Sequence, residues 1–224
     1  MSDKTSESKP ENAKRRLTLR DIAQSLFFLL AARPFMRLFI GLRVRGREHI
    51  LRSPQFILVA NHSSHLDTAS LLSLFPVTRL RLIRPVAAAD YFERNAFVSA
   101  LTRTLFNILP IARRGIKADN NPLRSMQSAL ERGESLIIFP EGTRSTGDEM
   151  GPFRSGIAHL VEKMPDVPVI PAYLVNMGRS LPKGELIPVP FFCEVRLGAP
   201  RLIRGNRQEI VKSLEAAVRE LKES

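Results

Sequence analysis

Short apolar runs alternate with amphipathic stretches along most of the chain. The runs at 55–60, 135–139 and 167–175 each end at a polar loop, which is typical of buried strands. Further candidate strands lie at 42–45, 81–88, 108–112 and 192–197. Between the strands, apolar residues recur at spacings of three and four and predict helices at 64–75, 121–132, 153–164 and after residue 206. Strands that alternate with helices predict a single α/β domain, with a mostly buried mixed or parallel sheet flanked by helices.

Polar residues mark two of the helix starts. Asn121 followed by Pro122 is a favourable N-cap and first helical residue, and Gly133 is a matching C-terminal stop. Asn206 with Glu209 three residues later predicts a capping box at the start of the last helix.

The first forty residues differ from the rest of the chain. Residues 1–16 are polar and charged, and we expect a disordered basic tail. Residues 17–41 read as an amphipathic helical arm, and residues 42–224 as the folded domain. Arg33, Pro34 and Arg37 interrupt the apolar part of the arm, so it looks too short to span a bilayer. Its phenylalanines and leucines with flanking arginines are typical of an anchor at a membrane surface, although an arm packed on the domain core fits the same pattern.

Charge narrows the possible partners. The net charge is +12, and the first fifty residues carry 11 Lys/Arg against 5 Asp/Glu, which is +6. Such a face attracts anionic lipid headgroups, nucleic acid or acidic proteins. Aromatic residues do not interleave with the basic ones, so we expect no nucleic-acid partner. A single cysteine excludes an intrachain disulfide and favours a reducing compartment, hence the cytoplasmic face of a membrane for a peripheral or monotopic protein.

The string NHSSHLD (61–67) places an imidazole and a carboxylate five residues apart. A His held by a carboxylate is the usual general base near neutral pH. His62 and Asp67 would point about 140° apart on a continuous helix, so they meet if His62 lies in a loop and Asp67 in the first helical turn. Alternatively, Asp67 serves only a capping box with Ser64. We expect no metal site, because H-x-x-H-x-D lacks further converging ligands.

The string FPEGTRS (139–145) follows an apolar strand. Pro140 ends that strand and Gly142 frees the backbone to turn, so amides, hydroxyl groups and Arg144 could surround a phosphate. We expect Glu141 to orient an arginine or to accept amide hydrogens; the alternative for the whole string is a surface turn. A second phosphate contact is expected from Arg113, with Arg114 or Lys117 as replacements.

Both strings follow directly on buried strands. Active sites of open α/β sheets lie outside the carboxyl ends of the strands, so the two strings can open onto one crevice. The chain has no G-x-S-x-G nucleophile elbow. His62 would therefore activate an acceptor hydroxyl itself, which requires a donor that is already reactive, such as a thioester.

At these strings the chain resembles the glycerolipid acyltransferase family that includes 1-acylglycerol-3-phosphate acyltransferases. Four blocks match in order over about residues 42–200, and they are 61–67, 111–113, 139–145 and 167–171. The resemblance implies His62 and Asp67 as catalytic residues. The substrate-binding residues it implies are Ser64, Arg113, Glu141, Gly142, Thr143 and Arg144.

The resemblance also implies partners. An acyl group would pass from acyl-CoA or acyl carrier protein to a lysophosphatidate-like acceptor at an anionic membrane surface, without a cofactor. The chain departs from the family's pattern at two places that bear on the acceptor headgroup. Residues 87–90 read AAAD where many members of the family carry a Lys, and Ala112 stands where an acidic residue is frequent. Another lyso-lipid acceptor and a non-catalytic lipid-binding protein are the alternatives.

Overall fold

A seven-stranded sheet organises the described part of the chain. The computed structural model describes residues 17–89, 96–112, 120–145, 149–181, 185 and 187–223. Within them the strands are β1 (Arg43–Arg45), β2 (Ile57–Ala60), β3 (Ile83–Ala88), β4 (Leu109–Ile111), β5 (Ser135–Ile138), β6 (Val169–Val175) and β7 (Glu194–Leu197). Their order is β1-β7-β6-β2-β5-β3-β4.

Strand direction decides which loops meet. Strands β2 to β6 all run parallel, so their carboxyl ends share one edge of the sheet, here called the upper edge. Strand β7 is antiparallel to β6, with Glu194 opposite Val175, and β1 is parallel to β7. Strands β1 and β7 therefore begin at the upper edge, where the other strands end.

Helices cover both faces of the sheet. They are α1 (Leu19–Phe27), α2 (Arg47–Arg52), α3 (Leu66–Ser73), α4 (Ala96–Phe106), α5 (Pro122–Glu131), α6 (Gly156–Lys163), α7 (Met177–Ser180) and α8 (Arg207–Glu223), with a 3-10 turn at Val77–Leu82. In β2, Leu58 and Ala60 join one apolar cluster, while Ile57 and Val59 join another. Burial of alternate residues on opposite faces explains why β2 is apolar at every position.

The N-terminal arm is a continuous helix over Leu19–Phe39. It starts as α1 and continues through two π-helical stretches, Phe28–Ala32 and Phe35–Phe39. Its buried residues recur every four positions and are Gln24, Phe28, Ala32, Met36 and Ile40. In a regular α-helix each step of four residues overshoots a full turn by about 40°. The wider π turns reverse that drift, so the stripe keeps facing the domain.

Polar contacts also hold the arm on the domain. Gln24 Nε2 donates to the Leu105 carbonyl group at 3.0 Å. The Arg33 guanidinium donates to the Ser73 carbonyl group at 3.2 Å and to that of Phe75, so it satisfies acceptors at the end of α3. Arg33 therefore faces the domain core rather than solvent.

The predicted architecture is confirmed, with differences at the ends of elements. The single α/β domain, the mixed sheet, the cap at Asn121 and the capping box at Asn206 are all present. Helices α2, α4 and α7 were not predicted. The arm also differs, because Pro34 does not end it. The resulting 21-residue helix is long and apolar enough to cross a membrane by length and composition alone. Residues 1–16, predicted to be disordered, lie outside the described residues.

The arm should contribute to stability through its buried stripe. Met36 is 3% exposed and Leu38 is 81% exposed. Met36→Ala should lower the free energy of unfolding by about 2–5 kcal/mol, because it leaves a cavity between arm and domain. Leu38→Ala, the matched control, should change it by less than about 0.5 kcal/mol. Urea unfolding measures both, and equal stabilities would show that the arm does not pack on the domain.

Candidate functional site

The loop after β2 is attached to β6 by the side chain of Asn61. Its Nδ2 donates to the Leu174 carbonyl group at 3.0 Å, and its Oδ1 accepts from the Leu174 amide at 2.7 Å. The side-chain amide group of Asn61 thus continues the pairing of β2 with β6 for one residue beyond Ala60. This attachment places His62 at the upper edge of the sheet.

His62 and Asp67 form a hydrogen-bonded pair. Nδ1 of His62 lies 2.8 Å from Oδ2 of Asp67. Asp67 is fully buried, whereas the His62 side chain is 22% exposed. Because the carboxylate accepts the proton on Nδ1, Nε2 is the ring nitrogen that carries the free lone pair. A pair of this kind can take a proton from a hydroxyl group.

Asp67 also lies in the first turn of helix α3, which begins at Leu66. Its Oδ2 accepts the amides of Ser63 at 2.7 Å and Ser64 at 2.9 Å, in addition to His62 Nδ1. His62 lies in the loop and Asp67 in the first helical turn, which is the arrangement that the spacing requires. The pairing of Asp67 with His62 is therefore present. The alternative capping box with Ser64 is only half formed: Asp67 accepts the Ser64 amide, but the Ser64 hydroxyl group accepts from the Leu66 amide, and His65 is the N-cap residue, without a side-chain cap.

Ser64 has internal contacts. It is fully buried, its Oγ donates to the Leu181 carbonyl group at 2.9 Å, and it accepts from the Leu66 amide at 3.2 Å. These contacts shape the loop around His62. A contact of Ser64 with substrate stays a prediction, and the observed geometry assigns its hydroxyl group to positioning instead.

The loop at 139–145 holds His62 through its backbone. Oε1 of Glu141 accepts the His62 amide at 2.7 Å. The amide and the hydroxyl group of Ser145 both donate to the His62 carbonyl group, at 2.9 and 3.0 Å. The ring of Phe139 stacks on the imidazole at 4.3 Å between centroids. The two strings identified in the sequence are thus in direct contact.

Glu141 faces inward. It is 6% exposed, and its second oxygen, Oε2, accepts the Gly151 amide at 2.8 Å. Burial raises the pKa of Glu141 above its ordinary value, and the hydrogen bonds from the backbone of His62 and Gly151 oppose that rise. Glu141 therefore accepts amide hydrogens with both of its oxygens, as one of the two roles expected from the sequence.

Gly142 allows the loop to turn. Its φ is +74°, and a β-carbon there would lie 2.7 Å from Arg154 Nε. Arg154 Nε donates to the Glu141 carbonyl group at 3.1 Å, so the space is occupied by a contact that supports the loop. The left-handed conformation and the close approach both require glycine.

Arg144 brings positive charge to this loop. Its Nη1 is buried and has no hydrogen-bond partner within the described residues. The pKa of His65 is lowered, first by partial burial and then by the positive charge of Arg144, which shows that Arg144 lies near the His62 loop. Thr143 is exposed on the same turn.

Arg113 and its alternatives Arg114 and Lys117 lie outside the described residues. The strand before them, β4, is parallel to β3 and ends at the upper edge, on the same side of the sheet as His62.

The sequence patterns did not identify four residues that hold the two loops of the site in place. They are Asn61, Ser145, Gly151 and Arg154. Asn61 and Ser145 at least lie inside the two strings. Gly151 and Arg154 act on a loop ten or more residues earlier, and no local pattern could reveal that.

A cavity of about 190 Å³ lies beside His62. Asn61, Ser63, Ser145 and Asn176 line it together with Lys222 from α8. Within the described residues no group of three or more His, Cys, Asp or Glu side chains could hold a metal ion. Burial raises the pKa of the Cys193 thiol to about 11, so this group stays protonated and is a poor nucleophile.

Several known proteins resemble this chain in sequence. A 1-acyl-sn-glycerol-3-phosphate acyltransferase of Saccharomyces cerevisiae is 34% identical over 145 residues, which cover 60% of this chain and 45% of the yeast protein. The chloroplast enzyme BAT2 of Brassica napus, of the same name, is 29% identical over 143 residues, which cover 63% of this chain and 39% of that protein. The chain thus spans less than half the length of these two relatives.

A solved structure shares the fold. The crystal structure of PlsC from Thermotoga maritima, titled a 1-acyl-sn-glycerophosphate acyltransferase, superposes with a TM-score of 0.71 at 24% identity. The match covers 91% of this chain and 81% of that one. A family model described as "Acyltransferase" matches residues 41–175, which include both loops of the site. Since this match covers more than half of the sequence, the chain belongs to the acyltransferase family.

Proposed function

We propose that this protein is an O-acyltransferase that moves a fatty acyl group from a thioester, acyl-CoA or acyl carrier protein, to the free hydroxyl group of a lysophosphatidate-like acceptor. The observation that carries the proposal is the His62–Asp67 pair, 2.8 Å apart, clamped by the loop that presents Arg144. The relatives are named for the same reaction.

The geometry supports a direct transfer. Nε2 of His62 takes the proton of the acceptor hydroxyl group, and the oxygen attacks the thioester carbonyl carbon. The tetrahedral intermediate then expels the thiolate, which recovers the proton from the imidazolium. The products are an ester and a free thiol. Asp67 holds the imidazole in the required tautomer and stabilises its positive charge.

Arg144 is the residue we assign to the acceptor phosphate. Its buried Nη1 lacks a hydrogen-bond partner in the described structure, so a phosphate oxygen would satisfy it. The further contacts we propose are the exposed Thr143 hydroxyl group and Arg113, which follows β4 by two residues in the sequence. Glu141 and Gly142 act by shaping the turn.

The arm supports a position at a membrane. The described structure has one N-terminal apolar helix, and many of its outward residues are large and exposed, among them Leu19, Leu26, Leu30 and Leu38. The opposite stripe is buried on the domain, so spanning a bilayer would strip it away. We therefore propose that the arm lies in the membrane surface, on the cytoplasmic side, as a peripheral or monotopic anchor.

Removing the base should abolish transfer. With purified protein, acyl-CoA and lysophosphatidate, His62→Ala and Asp67→Asn should each lower kcat by about 100-fold or more. Asparagine can leave its carbonyl oxygen in the place of Oδ2 and keep the amide contacts of the loop, so the second variant removes mainly the charge. Thiol release gives the rate, and circular dichroism checks folding. Near-normal transfer by folded His62→Ala would disprove the mechanism.

Loss of Arg144 should weaken acceptor binding. Arg144→Ala should raise the acceptor KM about tenfold or more with saturating donor, since a hydrogen bond to a charged group contributes about 1.5–3 kcal/mol. The donor KM should stay unchanged. Arg52→Ala, an exposed arginine at the opposite edge of the sheet, is the control. An unchanged acceptor KM in Arg144→Ala would exclude the phosphate role.

Glu141 should affect both rate and pH dependence. In Glu141→Gln the amide nitrogen must face one of two backbone N–H groups, so kcat should fall about tenfold. Burial raises the pKa of Glu141 in the folded state, so the wild-type free energy of unfolding should fall, relative to that of Glu141→Gln, as pH rises from 4.5 through the raised pKa.

A buried glutamate elsewhere provides the control for this variant. Glu134 pairs with Arg132 and Arg84 at the start of β5, away from the upper edge. Glu134→Gln should leave kcat unchanged below its melting temperature. Equal loss of kcat in both variants would mean that Glu141 acts only through general stability.

A further inference from the structure

An uncharged apolar segment lies exposed at the upper edge, outside the catalytic strings. It is the stretch 187–192, IPVPFF, here called the apolar loop. Ile187 is 81% exposed, Val189 55%, and Phe192 75%. A quarter of the chain's residues are charged, so six consecutive residues without charge and with large exposed side chains need an explanation.

Hydrogen bonds hold the apolar loop in place. The Val189 amide donates to the Ser180 carbonyl group at 2.8 Å, and the Ser180 hydroxyl group donates to the Val189 carbonyl group at 2.8 Å. Asn176 Nδ2 donates to the Phe192 carbonyl group at 3.0 Å. The side chains are therefore displayed by a fixed backbone.

The backbone of the apolar loop suits an apolar medium. Pro188 and Pro190 have no N–H group, and the N–H of Val189 between them is already bonded to Ser180. Unsatisfied backbone donors are costly in lipid, and these three residues have none.

The apolar loop adjoins the arm. The first residues of β1 and β7 pair side by side, and the Arg43 amide donates to the Cys193 carbonyl group at 2.9 Å. A β-carbon on Gly41 would lie 3.5 Å from the Phe192 ring. Leu38 and Phe39, both exposed, come just before Gly41 at the end of the arm. The exposed faces of arm and apolar loop are therefore continuous at the upper edge.

Guanidinium groups flank the two phenylalanines. Cζ of Arg43 lies 5.6 Å from the Phe192 ring centroid, and Cζ of Arg179 lies 5.8 Å from that of Phe191. Both arginines are exposed. An aromatic ring with a guanidinium group beside it suits the boundary of one leaflet, where the ring can enter the acyl chains and the guanidinium group can bind lipid phosphates.

The apolar loop is also close to the proposed catalytic base. The Ser64 hydroxyl group donates to the Leu181 carbonyl group. The preceding residue, Ser180, accepts the Val189 amide of the apolar loop. Two short hydrogen-bonded links thus join the His62 loop to the apolar loop. An acceptor drawn from the lipid layer would meet Nε2 at this edge.

We propose that the apolar loop inserts into the same anionic lipid leaflet as the arm, as a second membrane contact that sets the upper edge facing the lipid. The apolar loop holds the crevice beside the His62 loop against the lipid headgroups, whereas the arm contributes most of the membrane affinity. The inference deepens the proposed acyltransferase function, and it is tested without relying on turnover.

The chain contains no tryptophan, so one introduced indole reports on one position. Phe192→Trp should show a blue-shifted emission on addition of vesicles of phosphatidylcholine and phosphatidylglycerol, and brominated acyl chains should quench it. Leu202→Trp is the control, since Leu202 is 56% exposed beside Arg201, which pairs with the first residue of β6 at the opposite edge. Unchanged Phe192→Trp emission on bound protein would overturn the proposal.

Partitioning gives the second measurement. Phe191→Ser/Phe192→Ser should bind these vesicles about tenfold more weakly than the wild type, because two buried rings are lost. Leu51→Ser/Leu202→Ser should bind like the wild type, as both leucines lie at the opposite edge. Equal binding of the two double variants would refute the insertion. The insertion would also be refuted if the wild type were a dimer and Phe191→Ser/Phe192→Ser a monomer that binds vesicles as strongly as the wild type.

Turnover separates this inference from the proposed function. With a short-chain lysophosphatidate below its critical micelle concentration, Phe191→Ser/Phe192→Ser should match the wild-type rate. With acceptor embedded in vesicles, its rate should fall about tenfold. If the wild type consumes no thioester, the acyltransferase proposal fails, while emission and partitioning still decide the apolar loop. Equal loss of rate with both acceptors would count against a membrane role.

Discussion

The contact between the buried Glu141 carboxylate and the backbone of His62 is the constraint on which the site depends. It joins two loops that are 79 residues apart in the chain. A buried carboxylate is unfavourable without donors, and here the amides of His62 and Gly151 satisfy it. Ser145 also donates to the His62 carbonyl group and Phe139 stacks on the ring, so both the backbone and the imidazole of His62 are held in place. A general base must be held in this way, because small displacements greatly slow a transfer reaction.

Asp67 links this clamp to the fold. Its Oδ2 accepts the His62 Nδ1–H and two backbone amides, so the residue that orients the proposed base also fixes the loop that leads into α3. The other oxygen, Oδ1, is buried and has no hydrogen-bond partner among the residues that the structure describes. That incomplete solvation leaves a carboxylate that interacts strongly with a positive imidazolium. Catalytic geometry and local folding therefore depend on the same side chain.

The sheet topology explains why a lipid reaction suits this edge. Strands β2 and β5 end there, while β1 and β7 begin there. The reversed direction of β1 and β7 brings the end of the arm and the apolar loop to the same edge as the His62 loop. The proposed base, the proposed phosphate contact and the exposed apolar surface thus share one side of the molecule. A lipid acceptor could keep its chains in the leaflet while its hydroxyl group reaches Nε2.

The sequence by itself determined the α/β class and the two strings at strand ends, because these depend on local periodicity. It indicated that His62 and Asp67 can pair but left a helix-capping role of Asp67 as the alternative, and the structure decided between them. It could not reveal that Pro34 stays within a helix, since π turns adapt only when the stripe from Gln24 to Ile40 packs on the domain. Nor could it show that Glu141 is buried while Thr143, two residues later in the same loop, is exposed. Gly151 and Arg154 hold Glu141 through hydrogen bonds, and only tertiary packing brings those two residues to the loop.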